Sequence, residues 1–270
     1  MVNRQAAFIF LSVLLAVVGN TAVAQWYQAS ASLGSEYRGG YSKRPLVLPE
    51  RVPRIDLAPP DYGYMDHGEL NNGRGLRVFI PDEGDAWVGL GVGGAYGITD
   101  EFEAGGLIFP FSLVPDFDFG DMELYCRYAF HRGRSQLAVQ PVLRIPTASD
   151  FALGVGMPAQ FAFAGSVRLD TGVELEMIFA ADARINLDLP LAITLDAGPT
   201  VFIGGRTGLF FGNFEEMFVN LGMQGGAAVH RLVDLTASIN FPSFLTTAGD
   251  DPVRSDFEII MGANFFLERM

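Results

Sequence analysis

The sequence predicts an all-β protein: a transmembrane, antiparallel, up-and-down β-barrel of about twelve strands, with ten and fourteen as neighbouring counts. Three observations predict it. Apolar and polar residues alternate in run after run from Trp87 to the C-terminus. The runs are about ten residues long, enough to cross a bilayer at a tilt, whereas soluble strands average about five or six. The chain also opens with an export leader. It is 49% hydrophobic, with a mean hydropathy of +0.25, yet has only one continuous apolar run. The remaining apolar residues therefore have to be hidden by a pattern of another kind.

The elements follow in order. Arg4, the apolar stretch Ala6 to Val18 and the small residues Ala22 and Ala24 read as a secretory signal peptide over 1–24, cleaved to leave Gln25. Residues 25–73 hold Pro45, Pro49, Pro53, Pro59 and Pro60 and the only lysine, Lys43. This segment reads as irregular, and either sits in the periplasm or plugs the lumen. The barrel is expected over 74–270. Its first strand is Arg74 to Ile80, with Arg51 to Ala58 as the competitor.

From Trp87 the period is two. In Asp121 to His131, Met122, Leu124, Cys126, Tyr128 and Phe130 share one face; Glu123, Arg127 and His131 share the other. The same pattern recurs in Leu137 to Ile145, Gln160 to Asp170, Val173 to Phe179, Arg184 to Leu189, Leu191 to Ala197, Val219 to Met223, Val233 to Phe241 and Phe257 to Leu267. A helix cannot bury such a pattern, because period two winds around all its faces. In a transmembrane barrel the apolar face meets lipid and the polar face meets the lumen. Aromatics near strand ends, among them Tyr96, Phe109, Phe130, Phe241 and Phe265, suit the two interfacial girdles.

Connections assign sides, since periplasmic turns are short and extracellular loops longer. Gly97–Asp100, Arg132–Arg134, Asp170–Gly172 and Arg231–Leu232 are short. Residues 110–117, 146–157, 204–215 and 242–255 read as long loops. A tight extracellular turn at Ala180–Asp182, pairing Phe179 with Ala183, keeps the alternation, and Pro190 marks a periplasmic turn.

Tyr96-Gly97-Ile98-Thr99-Asp100, Phe119-Gly120-Asp121 and Arg144-Ile145-Pro146-Thr147 carry a resemblance. Over Ala95 to Gly154 the chain resembles uncharacterised bacterial outer-membrane barrels. It is similar to the transporter-like barrel family associated with aromatic-compound (phenol) degradation. The resemblance implies an outer-membrane barrel passing small or hydrophobic solutes, and it implies no catalytic residues.

The charge is −13, with 18 Lys and Arg against 31 Asp and Glu, so nothing neutralises phosphates and nucleic-acid binding is excluded. One cysteine, Cys126, excludes a disulfide framework. The expected lumenal face carries both charge signs. Arg127, Arg144, Arg168, Glu174, Glu176 and Arg184 are the candidates for pore lining and constriction. Arginine's planar fork suits bidentate pairing with carboxylates in a narrow space, so a structural charge ladder competes with a selectivity filter.

Glu174 and Glu176, two apart on one face, have the spacing of an inverting glycosidase pair, but nearby arginines favour ion pairing. His131 near Ser135 lacks the third group that orients a catalytic histidine. Asp250-Asp251 reads as a solvated loop. No enzyme activity, metal or cofactor is expected. The expected function is an outer-membrane channel or transporter for small solutes. Its partners are outer-membrane lipid, the solutes themselves and, during biogenesis, the barrel assembly machinery. The alternatives are a non-conducting structural or adhesive barrel acting through its loops, and a soluble secreted β-sandwich that binds a ligand.

Overall fold

A computed structural model describes residues 44–57, 75–81, 86–147, 150–163, 165–230, 232–247 and 256–267. The expected signal peptide, residues 25–43 and the Asp250-Asp251 pair lie outside the described residues. Among the described residues, sixteen strand segments form one antiparallel sheet that closes on itself through twelve positions.

Three of the twelve positions are shared by two segments each. β1 (Pro53–Asp56) and β2 (Gly75–Ile80) lie end to end between the same neighbours, β3 (Trp87–Gly97) and β16 (Phe257–Phe266). Both candidates for the first strand are therefore in the wall, and the barrel begins at Pro53 rather than at residue 74. After β4 (Phe102–Val114), the two-residue β5 (Asp118–Phe119) folds back onto it, and β6 (Met122–His131) and β7 (Ser135–Ile145) follow. β8 (Ala152–Gly156) and β9 (Ala159–Phe163) share the next position, and β10 (Val167–Thr171) and β11 (Glu174–Ile178) the one after it. β12 (Arg184–Asp196), β13 (Val201–Gly212), β14 (Glu216–His230) and β15 (Val233–Thr246) complete the circuit to β16.

The faces follow the sequence pattern. On β6, Tyr125, Arg127 and Ala129 are buried, while Leu124, Tyr128 and Phe130 are exposed. Leu191, Ile193, Ile203, Leu221 and Ile239 form part of the same outer apolar surface. Closure gives each of the twelve positions a neighbour on both sides, as a bilayer demands. Phe109, Phe111, Phe117 and Phe119 cluster at the end of β4, and Phe241 with Phe244 and Phe257 at that of β15. These rings sit at the end carrying the longer connections, the end that the loop-length rule assigns to the outside in an outer-membrane barrel.

Several boundaries differ from the sequence expectation, and β4 to Val114, β8 at Ala152–Gly156 and β15 to Thr246 all enter stretches read as long loops. Pro190 is not a turn but lies within β12, opposite Gly208. Proline is tolerated there because the neighbouring strand is itself broken at Gly172–Val173, so no partner waits for its missing N–H. The Thr171 hydroxyl donates to the Pro190 carbonyl (2.9 Å). Asp170 and Thr171 lie in β10 and Gly172 opens that break, so the chain does not turn there; it turns at Gly165–Ser166 instead. Residues 204–212, read as loop for their glycines, belong to β13. The register between β11 and β12, with Ile178 opposite Arg184, is the one that pairs Phe179 with Ala183.

Glycines line much of the inner wall, and larger side chains lie flat over them. A Cβ on Gly105 would stand 2.8 Å from the Tyr125 ring, and one on Gly226 2.6 Å from the Phe202 ring.

Candidate functional site: the barrel lumen

The lumen is built from the inward residue of each strand pair. Its recurring unit is an inward arginine held by a carboxylate two residues along its own strand or one or two strands away. Arg77 Nε meets Glu258 Oε2 at 2.5 Å across the β2–β16 seam. Arg127 Nη1 meets Glu103 at 3.1 Å, and its Nε donates to Gln140 (2.7 Å). Arg144 reaches over β8 to Glu176 (2.5 Å), and Arg168 holds Asp170 (2.8 Å). Arg54 holds Asp56 (2.6 Å). β8 can be crossed because its inward residues are Ala152, Gly154 and Gly156, which offer almost no side chain.

Each predicted lining residue can now be placed. Arg127, Arg144, Arg168 and Glu176 are buried on the inner wall, and Arg144 pairs with Glu176. Glu174 is half-buried, lies over Gly156 and stands opposite Asp188. Arg184 sits instead at the extracellular rim, half-exposed, 3.9 Å from Asp150. Its strand begins there, so its side chain meets bulk water. Glu176 is committed to Arg144, which leaves no free carboxylate pair of the glycosidase kind. His131 Nε2 lies 3.2 Å from Ser135 Oγ, exposed at the opposite rim.

Sequence reasoning left the segment before β1 between the periplasm and the lumen, and did not identify the strap that its residues 44–52 form. Residues 44–52 run along the inside of the wall at the periplasmic end, and Leu46, Val47, Leu48 and Val52 are at most 3% exposed. Leu48 and Val52 pack with Ala95, Tyr125, Val142 and Phe266. Leu46 and Val47 pack with Ala129 and Ala138. Inner-wall side chains hold the strap by its backbone. The Leu48 amide donates to Glu103 Oε2 (2.6 Å) and the Leu46 amide to Gln136 (2.8 Å). Arg127 Nη1 donates to the Leu46 carbonyl (2.8 Å), and Gln160 to the Arg44 carbonyl (2.7 Å). Arg51 N–H donates to the Gly97 carbonyl (2.7 Å), and Gly97 N–H to that of Val52 (3.1 Å). Gly97 has to be glycine-sized here, because a Cβ would stand 2.7 Å from the Leu48 carbonyl oxygen and closer still to that of Pro49. The prolines of this segment were the only signal in the sequence.

No protein-family model and no curated protein matches the chain in sequence. Solved structures do match it in fold. An outer membrane channel from Pseudomonas putida F1 aligns with a TM-score of 0.58 at 10% identity, over 88% of this chain and all of that one. The NanC porin aligns with a TM-score of 0.56 at 8% identity, over 71% of this chain and 98% of that one. These likenesses concern the fold, which is that of outer-membrane barrels.

Proposed function

We propose that the protein is a non-enzymatic outer-membrane channel for small solutes, narrowed at its periplasmic mouth by its own N-terminal strap. One observation carries the reading. The closed wall is apolar outside and lined inside by charged and amide side chains, as on Arg77, Arg127, Arg144, Arg168, Asn220 and Asn240. An apolar outside requires lipid, and a polar inside provides an aqueous path. In this reading the leader directs export, the barrel assembly machinery inserts the chain, and lipid covers the outer face. The resemblance to barrels of aromatic-compound degradation supports a second reading of the cargo. Trp87 and Phe210 are inward-facing and buried toward the extracellular end, a surface suited to an aromatic solute.

The test is single-channel recording of refolded protein in planar bilayers. Discrete conductance steps are expected. A barrel that inserts and shifts on gels with heating, yet never conducts even after residues 25–52 are deleted, overturns the reading.

A further inference from the structure

Arg44 is the first described residue of the strap, and it touches both sides of the lumen. Its carbonyl accepts from Gln160 on β9 (2.7 Å). Its guanidinium grips Asp234 on β15, with Nη2 donating to Oδ1 (2.6 Å) and Nη1 meeting Oδ2. The same guanidinium lies 5.4 Å from the Phe266 ring centroid on β16. In a twelve-position circuit, β9 and β15 are five positions apart one way and seven the other, which is close to diametric. One residue therefore spans the mouth as a chord. The rest of the strap lies against β3, β4, β6 and β7.

We propose that Arg44 is the latch and the charge filter of the periplasmic mouth. The Asp234 carboxylate, 1% exposed, fixes the guanidinium. While it is intact, the pair crosses the mouth with its two charges on each other, the side chains 11% and 1% exposed. Breaking the pair from either side frees the chord, but the charge left in the passage differs in sign. Loss of Arg44 uncovers a carboxylate. Loss of the Asp234 charge leaves a guanidinium without its counter-charge. The filter acts by the ordinary rule that charged rings at a constriction set ion preference.

This inference rests on the channel reading, and one experiment separates the two. Full-length wild type, Arg44→Ala, Asp234→Asn, the exchanged pair Arg44→Asp with Asp234→Arg, and the 25–52 deletion are refolded. Each is compared for conductance and for reversal potential in a salt gradient. Both single variants are expected to conduct about twofold or more above wild type. Their reversal potentials should move in opposite directions, toward cation preference in Arg44→Ala and toward anion preference in Asp234→Asn. The exchanged pair should return conductance toward wild type. A merely structural role would not produce shifts of opposite sign. If the deletion conducts while the single variants match wild type, or shift the same way, the latch is wrong and the channel stands. If every protein including the deletion is silent, the channel reading falls and the latch with it. Should Arg44→Ala fail to fold, Asp234→Asn and the exchanged pair carry the same comparison.

Discussion

Glu103 offers the sharpest test of how lumen and strap are joined. Its carboxylate is fully buried, at 0% exposure. One oxygen accepts the Leu48 amide (2.6 Å), and the other accepts the Tyr125 hydroxyl (3.2 Å) and pairs with Arg127 (3.1 Å). Glu103→Leu removes one member of a buried ion pair and leaves Arg127, itself 2% exposed, facing an alkyl chain. Orphaning a buried charge costs about 3–5 kcal/mol, discounted here because Arg127 keeps Gln140 and the Leu46 carbonyl. The orphaned Leu48 amide adds about 1–3 kcal/mol. A loss of about 4–6 kcal/mol is expected. Glu103→Gln keeps one acceptor and the shape, so its loss should be about half as large. Urea unfolding in lipid vesicles, followed by tryptophan fluorescence, measures both. A Glu103→Leu protein as stable as wild type would refute the reasoning, because the carboxylate would then not be holding Arg127 and the strap together.

Other consequences can be checked in the same preparation. Gly97→Val places a side chain where the Leu48 and Pro49 carbonyls lie, so the strap should become accessible to added protease while the barrel stays folded; an unchanged cleavage pattern argues against the seating. Gly226→Ala should lose about 1–3 kcal/mol, since its Cβ would meet the Phe202 ring at 2.6 Å. Gly198→Ala, with nothing within 4 Å, serves as the control, and equal unfolding midpoints for the two would contradict the packing. Leu191→Arg, on the outer face near the middle of β12, should cost about 2–4 kcal/mol in lipid; no loss would place that face away from the bilayer.

The parts of the fold that follow from side-chain alternation could be read from the sequence, and those that follow from backbone geometry could not. Alternation located the outer face of β6, β7, β15 and β16 residue by residue, because lipid accepts only one kind of side chain. The strand count came out at twelve through compensating shifts. Pro190 was read as a stop, and Gly204 to Gly212 as a loop, since both residue types usually interrupt strands. In this barrel the proline faces a break in its neighbour, and Gly208 makes room for the Asn220 amide, whose Nδ2 would stand 3.0 Å from a Cβ there. Neither reason exists in β12 or β13 alone. The lumenal arginines were visible as residues on a polar face, but their partners were not. Arg144 reaches Glu176 over a strand of small residues, a relation that only the closed sheet creates. The strap was invisible for a different reason. Its bonds are made by its own amides and carbonyls to Glu103, Arg127, Gln136 and Gln160, and backbone groups carry no sequence signature.

Arginine outnumbers lysine 17 to one in this chain, and the lumen explains the bias. A barrel in lipid gains little from burying apolar surface inside, since its apolar residues are already satisfied outside. Its interior must be ordered by directional contacts. The guanidinium suits that task, because its five donors lie in one plane and serve several acceptors together. Arg127 shows this directly by binding Glu103, Gln140 and the Leu46 carbonyl at once. An ammonium at that position gathers its three donors on one nitrogen and cannot stand where both Nε and Nη1 stand, so either Gln140 or the Glu103 and Leu46 acceptors go unheld. Arg127→Lys should therefore loosen the strap while preserving the net charge. A rise in protease access to residues 44–52, with an unchanged reversal potential in a salt gradient, would separate geometry from charge. If Arg127→Lys protected the strap as well as arginine does, charge alone would suffice and the planar fork would have no role.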